Sequence, residues 1–172
     1  DFRVPSNAVG IELFVRNKRP AGMKSFAADR TVLFVHGATF PSESTFDLSL
    51  DGMSWMDFIA RAGYDVYLVD VRGYGGSTRP TPTTEPAASG SPIATLAEAV
   101  EDVDAAVDFI RRRRNVERIQ LIGWSWGTFI MGRYAATHGE KVDRLVLYAP
   151  LWQRRAEPLS TRGVDVRTPY RH

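Results

Sequence analysis

The residues best suited to chemistry are the five at 123–127, which read Gly-Trp-Ser-Trp-Gly. They follow the apolar run 119–122 and precede a helix-compatible segment at 128–138. A serine on such a sharp strand-to-helix turn has a strained backbone, and the two glycines omit side chains that would collide with the strand and the helix. The turn exposes the Ser125 hydroxyl beside the free N–H groups of the helix start, where an attacked carbonyl oxygen would gather negative charge. The pattern predicts a nucleophilic serine.

On their own these five residues are weak evidence for a nucleophilic serine, because glycine and serine are common in turns. Their setting makes the pattern specific, since the chain alternates strands and helices. Strands are predicted at 9–15, 31–35, 66–69, 119–122 and 143–148, and helices at 53–62, 96–114 and 128–138. The continuously apolar run 31–35 is typical of a strand buried on both faces of a parallel sheet, and 9–15 is typical of an antiparallel lead-in strand. The expected fold class is α/β, a mostly parallel sheet with helices on both faces.

The segment 96–114 has the clearest helix signals. Thr95 and Glu98 form a capping box, and apolar residues recur every three or four positions. Four arginines close the segment at 111–114, where the helix dipole favours cations, so a phosphate-binding or nuclear-localisation patch is not indicated. By contrast, the stretch 78–92 is rich in proline, serine and threonine, which predicts an irregular loop at the border of a pocket.

Composition excludes several classes of function. The chain has 172 residues, 44% of them hydrophobic, and a net charge of +2, which fits one globular domain without a nucleic-acid partner. It has no cysteine and three histidines, so we expect no metal site and no cofactor. No apolar run approaches the roughly 18 residues of a membrane span. We expect a soluble protein without a membrane partner, with the cytoplasm slightly favoured as its compartment, and the sequence leaves its oligomeric state open.

The order of features over residues 31–150 resembles the α/β-hydrolase family. One buried strand ends in His36-Gly37, the next ends in an Asp-x-Arg-Gly-x-Gly-x-Ser stretch at 70–77, and a capped helix then leads to the Gly-x-Ser-x-Gly turn. The last strand ends in Ala149-Pro150. Within the 70–77 stretch, Asp70 and Arg72 are expected to form a buried or half-buried ion pair that fixes the loop rather than to act in catalysis.

The resemblance implies a role for each residue of the site. Ser125 would be the nucleophile, and the backbone N–H groups of Ala38 and Trp126 would form the oxyanion hole. The supporting residues of the pocket would be His36, Gly37 and Trp124. Family members that open epoxides or remove halides have aspartate at the elbow, so serine argues for acyl transfer to water.

Three functions follow from these roles. The leading expectation is a serine hydrolase that cleaves a small carboxylic ester, its only partner a small-molecule acyl substrate, through an acyl-enzyme on Ser125. A non-catalytic ligand-binding protein on the same fold is the second. The third is a proline-iminopeptidase-like amide hydrolase, because the Ser-Trp-Gly order is similar to that of those enzymes.

The acid and the histidine of a triad have no obvious position in this chain. His138 ends the helix after Ser125, about 20 Å away at 1.5 Å per residue, and Asp143 begins its strand at the opposite end of the sheet. His36 would shape the oxyanion loop. The remaining candidates are Glu157, Asp165 and His172.

We therefore expect residues 1–150 to be the N-terminal part of an α/β-hydrolase core that lacks the C-terminal strands and the cap. Residues 151–172 would be the start of a cap insertion or a tail. The strand 143–148 reads as buried, yet no later segment is suited to cover its outer edge.

Overall fold

Six strands form one sheet in the computed structural model, which describes residues 1–80 and 94–150. The strands are β1 (Phe2–Pro5), β2 (Glu12–Lys18), β3 (Thr31–Val35), β4 (Asp65–Val69), β5 (Ile119–Trp124) and β6 (Val142–Tyr148). Their order across the sheet is β1-β2-β4-β3-β5-β6. Strands β4, β3, β5 and β6 are parallel neighbours, while β1 and β2 pair antiparallel at one side. The expected mostly parallel sheet with an antiparallel lead-in strand is confirmed.

The helices cover both faces of this sheet, also as expected. They are α1 (Ser42–Phe46), α2 (Trp55–Arg61), α3 (Leu96–Arg114) and α4 (Trp126–Thr137). Helices α3 and α4 bury apolar side chains such as Val103, Ile110 and Ile130 against one face. Helices α1 and α2 bury Phe46 and Met56 against the other face. Strands β3 and β4 are buried along their whole length because they lie between the two layers.

Helix α3 has the predicted bounds, and its two ends show why. The Thr95 side chain accepts a bond from the Glu98 N–H at 3.4 Å, and the Glu98 carboxylate accepts one from the Thr95 N–H at 2.8 Å. Asn115 ends the helix in the left-handed conformation, with φ of 53°. Arg114 in the last turn binds the buried carboxylate of Asp65, with 2.9 Å between Nη2 and Oδ1. At least one terminal arginine thus has a structural partner.

Four elements differ from the predictions. Strand β1 and helix α1 were not predicted, because four and five residues are too few to show a period. Strand β2 begins and ends three residues later than predicted, so it includes Asn17 and Lys18 beyond the predicted end at residue 15. Asn17 is kept in the strand by its side-chain bond to Asp65 at 2.8 Å. Residues 81–92 of the predicted loop lie outside the described residues, as do residues 151–172.

Strand β6 is the fourth element that differs from the predictions. It was predicted to be buried, but Val146 is 50% exposed, Leu147 43% and Tyr148 55%. The strand lies at the edge of the described sheet, where β5 is its only hydrogen-bonded neighbour in the sheet order. An edge strand can have the same apolar composition as an internal strand, so composition alone could not separate the two.

Candidate active site

The turn at Ser125 has the strained geometry that its sequence predicts. Ser125 has φ of 53° and ψ of −116°, a region that side-chain-bearing residues rarely adopt. A Cβ on Gly123 would collide with the backbone of Gly127. A Cβ on Gly127 would lie 2.5 Å from the carbonyl oxygen of Val35 and 2.7 Å from that of His36. Both glycines are needed because α4 starts so close to β5 and β3.

The main chain of Ser125 is held on both sides, and its side chain is not used as a helix cap. Its N–H donates to the carbonyl of Tyr148 at 3.0 Å. Its carbonyl accepts from the N–H of Thr128 at 2.9 Å and from the Thr128 hydroxyl at 2.6 Å. A serine at this position usually accepts a backbone bond through its side chain, but Ser125 makes no such cap. The half-buried hydroxyl is therefore available to a ligand.

The start of α4 provides a positive electrostatic environment beside this hydroxyl. Trp126 is the first residue of the helix, and its N–H is one of the four that have no partner within the helix. The first turn contains no acidic residue that would offset the positive end of the helix dipole. This arrangement favours an anion or a developing oxyanion near Ser125.

The loop after β3 reaches the same point. A Cβ on Gly37 would lie 3.2 Å from the Cβ of Ser125 and 3.2 Å from Cε3 of Trp124, so Gly37 lies directly beside the turn. Ala38 follows as an exposed residue, and its carbonyl accepts a 2.6 Å bond from the Tyr74 hydroxyl. Sequence reasoning did not find the Tyr74 contact, because no spacing rule connects positions 38 and 74. The predicted Gly37, Trp124 and Ser125 come together here.

His36 is fully buried, and both ring nitrogens have partners. Nε2 accepts from the N–H of Val71 at 3.2 Å, which places the ring proton on Nδ1, 2.7 Å from the Gly37 carbonyl. Burial lowers the pKa of His36, although the Gly37 carbonyl and the Asp70 carboxylate act in the opposite direction. Because both nitrogens of this neutral imidazole are engaged in hydrogen bonds to the backbone, the ring shapes the loop and is poorly placed to take a proton from Ser125.

Asp70 and Arg72 are buried, but their partners differ from the prediction. The Asp70 carboxylate accepts from the N–H groups of Ser42 at 2.7 Å and Gly76 at 3.0 Å. Arg72 instead pairs with the buried Asp102 of α3, with 2.7 Å between Nη2 and Oδ1 and 2.9 Å between Nε and Oδ2. Both side chains are buried and held by partners, as expected, but the predicted ion pair between the two residues is wrong.

The described residues bring no second histidine to Ser125. His138 follows the last turn of α4, where its ring stacks on Tyr134 and its Nδ1 lies 2.9 Å from the Thr137 hydroxyl. Asp143 lies near the start of β6 and is 3.8 Å from Arg144. Glu157, Asp165 and His172 lie outside the described residues.

The described residues contain neither a metal-binding cluster nor a membrane-spanning helix. In this part of the chain, no group of three or more histidine, cysteine or acidic residues is arranged to hold a metal ion. Over the same ranges, no helix combines the length and the hydropathy needed to cross a bilayer.

A cavity of about 690 Å³ opens beside Trp124. It is lined by Phe40, Ser44, Thr45, Phe46, Trp55, Trp124 and Tyr148. Five of the seven are aromatic, and the polar groups of the seven side chains are the hydroxyls of Ser44, Thr45 and Tyr148 and the indole N–H groups of the two tryptophans. Its size falls in the range of small-molecule sites, and its lining suits an apolar group.

Comparison with known proteins identifies the family. The model of the alpha/beta hydrolase fold matches residues 30–165. The chain belongs to this family. Among its members, the chain is similar to BODYGUARD 3 of Arabidopsis thaliana, named a probable lysophospholipase, with 29% identity over 142 residues. It is also 29% identical over 132 residues to a Synechocystis protein whose name describes a non-heme chloroperoxidase.

The chain spans only part of these alpha/beta hydrolases. The matches cover 80% and 74% of this chain but 24% and 39% of the two relatives. Among solved structures, an epoxide hydrolase of Vigna radiata superimposes with a TM-score of 0.59 at 23% identity, over 85% of this chain and 37% of that one. The similarity to that structure shows the shared fold.

Proposed function

We propose that this member of the alpha/beta hydrolase family is a serine hydrolase that cleaves a small carboxylic ester through an acyl-enzyme on Ser125. The observation that carries the proposal is the geometry of Ser125. The backbone of Ser125 is strained, and its side chain does not cap the helix. It lies at the N-terminus of α4, where no acidic residue offsets the positive end of the helix dipole. These three properties suit a nucleophile. A turn that only joined a strand to a helix would not need this strain, which costs about 1–3 kcal/mol.

In the proposed reaction, the Ser125 oxygen attacks the ester carbonyl as a base takes its proton. The carbonyl oxygen becomes an oxyanion, which accepts bonds from the N–H groups of Trp126 and Ala38. One such donor contributes about 2.7–4 kcal/mol in the transition state. Collapse of the intermediate releases the alcohol, which takes the proton, and water then hydrolyses the acyl-enzyme. We place the base outside the described residues, because His36 and His138 are both engaged elsewhere.

Two observations support an ester as the substrate. The aromatic cavity beside Trp124 offers space for an apolar acyl or alcohol group. The name of the Arabidopsis relative describes a lysophospholipase, which is an ester hydrolase. The serine at the elbow further supports acyl transfer rather than epoxide opening.

A ligand-binding protein on the same fold is the second candidate. The observation that favours it is that the described residues place neither a free imidazole nor a paired acid beside Ser125. In that case the cavity would hold a ligand, and the serine would donate a hydrogen bond to it.

The test compares three variants of the protein expressed from its complete reading frame. The wild type, Ser125→Ala and Ser25→Ala are assayed with p-nitrophenyl esters and with aminoacyl amides. Ser25 is an exposed serine before β3 and serves as the matched control. We expect ester turnover in the wild type and in Ser25→Ala, and a loss of about 10³-fold or more in Ser125→Ala. Preference for aminoacyl amides would favour the proline-iminopeptidase-like amide hydrolase. Saturable ligand binding without turnover would favour the ligand-binding protein.

A further inference from the structure

Tyr74 links the three segments that meet at Ser125. Its hydroxyl donates to the carbonyl of Ala38 at 2.6 Å. The centroid of its ring lies 4.4 Å from that of His36 and 6.0 Å from that of Trp126. One side chain thus contacts the loop after β3, the buried histidine and the first residue of α4.

The loop that carries Tyr74 is itself fixed. The Tyr74 N–H donates to the Val71 carbonyl at 3.1 Å, and the Tyr74 carbonyl accepts from the Ser77 N–H at 2.9 Å. Gly73, with φ of 85°, donates its N–H to the Thr78 carbonyl at 2.9 Å. These bonds close a tight turn and hold the backbone from which the Tyr74 side chain extends.

Ala38 lies between two peptide units, and a side chain holds the carbonyl of each. The Gly37 carbonyl, which shares a peptide plane with the Ala38 N–H, accepts from Nδ1 of His36 at 2.7 Å. In a trans peptide the N–H points away from the carbonyl, so this bond directs the Ala38 N–H away from His36. Tyr74 holds the carbonyl of the following peptide unit. Rotation of the backbone at Ala38 is restricted from both sides.

We propose that Tyr74 is a positioning residue for the oxyanion hole. Its hydroxyl holds Ala38 so that the Ala38 N–H stays aimed at the oxygen that becomes negative during attack by Ser125. The inference rests on the proposed function, since it needs Ser125 to be the nucleophile. It extends that function to a side chain that acts through Ala38.

The test is Tyr74→Phe, which keeps the ring contacts and removes only the hydroxyl. The wild type and the variant are assayed with an ester and with the matching thionoester, whose sulfur is a weaker hydrogen-bond acceptor. We expect a roughly three- to tenfold fall in kcat for the ester with little change in KM, from the loss of one positioning hydrogen bond. Hydrolysis of the thionoester depends less on the oxyanion hole and should change less. The ratio of ester to thionoester kcat/KM should therefore fall by about the same factor as kcat for the ester.

The matched control is Tyr134→Phe, which removes a tyrosine hydroxyl bonded at 3.0 Å to Asp104. It should lower the melting temperature without changing the ratio of ester to thionoester. If Tyr74→Phe loses no activity, or loses equal activity on both substrates, the ratio of ester to thionoester kcat/KM is unchanged. That result would overturn the positioning role while leaving the proposed function intact. A wild-type protein with no Ser125-dependent turnover of either substrate would overturn both.

Discussion

Acid should destabilise the fold through His36. The imidazole is fully buried, and a second proton would have to bind Nε2, which already accepts from the Val71 N–H. Burial lowers the pKa of His36 from the ordinary value of 6.5, while the Gly37 carbonyl and the Asp70 carboxylate raise it by smaller amounts. The folded chain therefore resists protonation at a pH where the unfolded chain accepts it.

The sign of the effect follows from proton linkage. Below pH 6.5 the unfolded chain binds a proton at His36 more readily than the folded chain does, so the free energy of unfolding falls as the pH decreases toward the lower pKa of the folded state. The slope reaches at most about 1.4 kcal/mol per pH unit. Between pH 7.5 and 5.5 His36 should therefore contribute a loss of up to about 1.4 kcal/mol. Unfolded carboxylates titrate near pH 4, below this window.

Urea unfolding followed by tryptophan fluorescence measures this loss in the wild type, His36→Gln and His138→Gln. We expect His36→Gln to be less stable at pH 7.5 but to have a flatter pH dependence, because its side chain cannot be protonated. His138→Gln, which changes a partly exposed histidine, should keep the wild-type loss. An equally steep pH dependence in His36→Gln would refute the reasoning.

Two further predictions concern packing and charge, and both are read from urea unfolding. Gly127→Ala should destabilise the fold by about 3 kcal/mol, because its Cβ would press on backbone oxygens of β3 and the residue after it. Gly132→Ala is the control in the same helix, because a Cβ there meets open space, and it should stabilise the fold by up to about 1 kcal/mol. Similar effects of the two substitutions would contradict the close approach of α4 to β3 at Gly127. Asp102→Asn should cost up to about 3–5 kcal/mol, because it removes the closest and most buried of the carboxylates that pair with Arg72, while Glu98 at 3.4 Å and Glu101 at 3.6 Å remain. A loss below 1 kcal/mol would show that the pair is dispensable.

The local features of this fold could be predicted from sequence where they depend on neighbouring residues. Helix α3 has the predicted bounds because Thr95 and Glu98 specify its start and Asn115 ends it, all within a few residues of the helix. The turn at Ser125 was predicted because its glycines and its flanking elements lie within a few residues of one another. The prediction for β3 also held, because its apolar run is typical of a buried strand and the strand lies between two others in the sheet.

Features that depend on distant residues could not be predicted. Arg72 finds Asp102 thirty positions later, on another element, and no spacing rule connects the two. The exposure of β6 depends on its neighbours in the sheet rather than on its own composition. The bond between Tyr74 and Ala38 spans thirty-six positions, so it appears only once both loops reach the same edge of the sheet.

Covalent labelling tests the nucleophile most directly. The protein expressed from its complete reading frame is treated with a fluorophosphonate, digested with trypsin and examined by mass spectrometry. Cleavage after Arg118 and Arg133 releases the peptide 119–133, in which Ser125 is the only serine. We predict that this peptide gains the mass of the phosphonyl group in the wild type and in Ser25→Ala, and not in Ser125→Ala. An unlabelled wild-type peptide, or a label that survives Ser125→Ala, would contradict the assignment of Ser125 as the nucleophile.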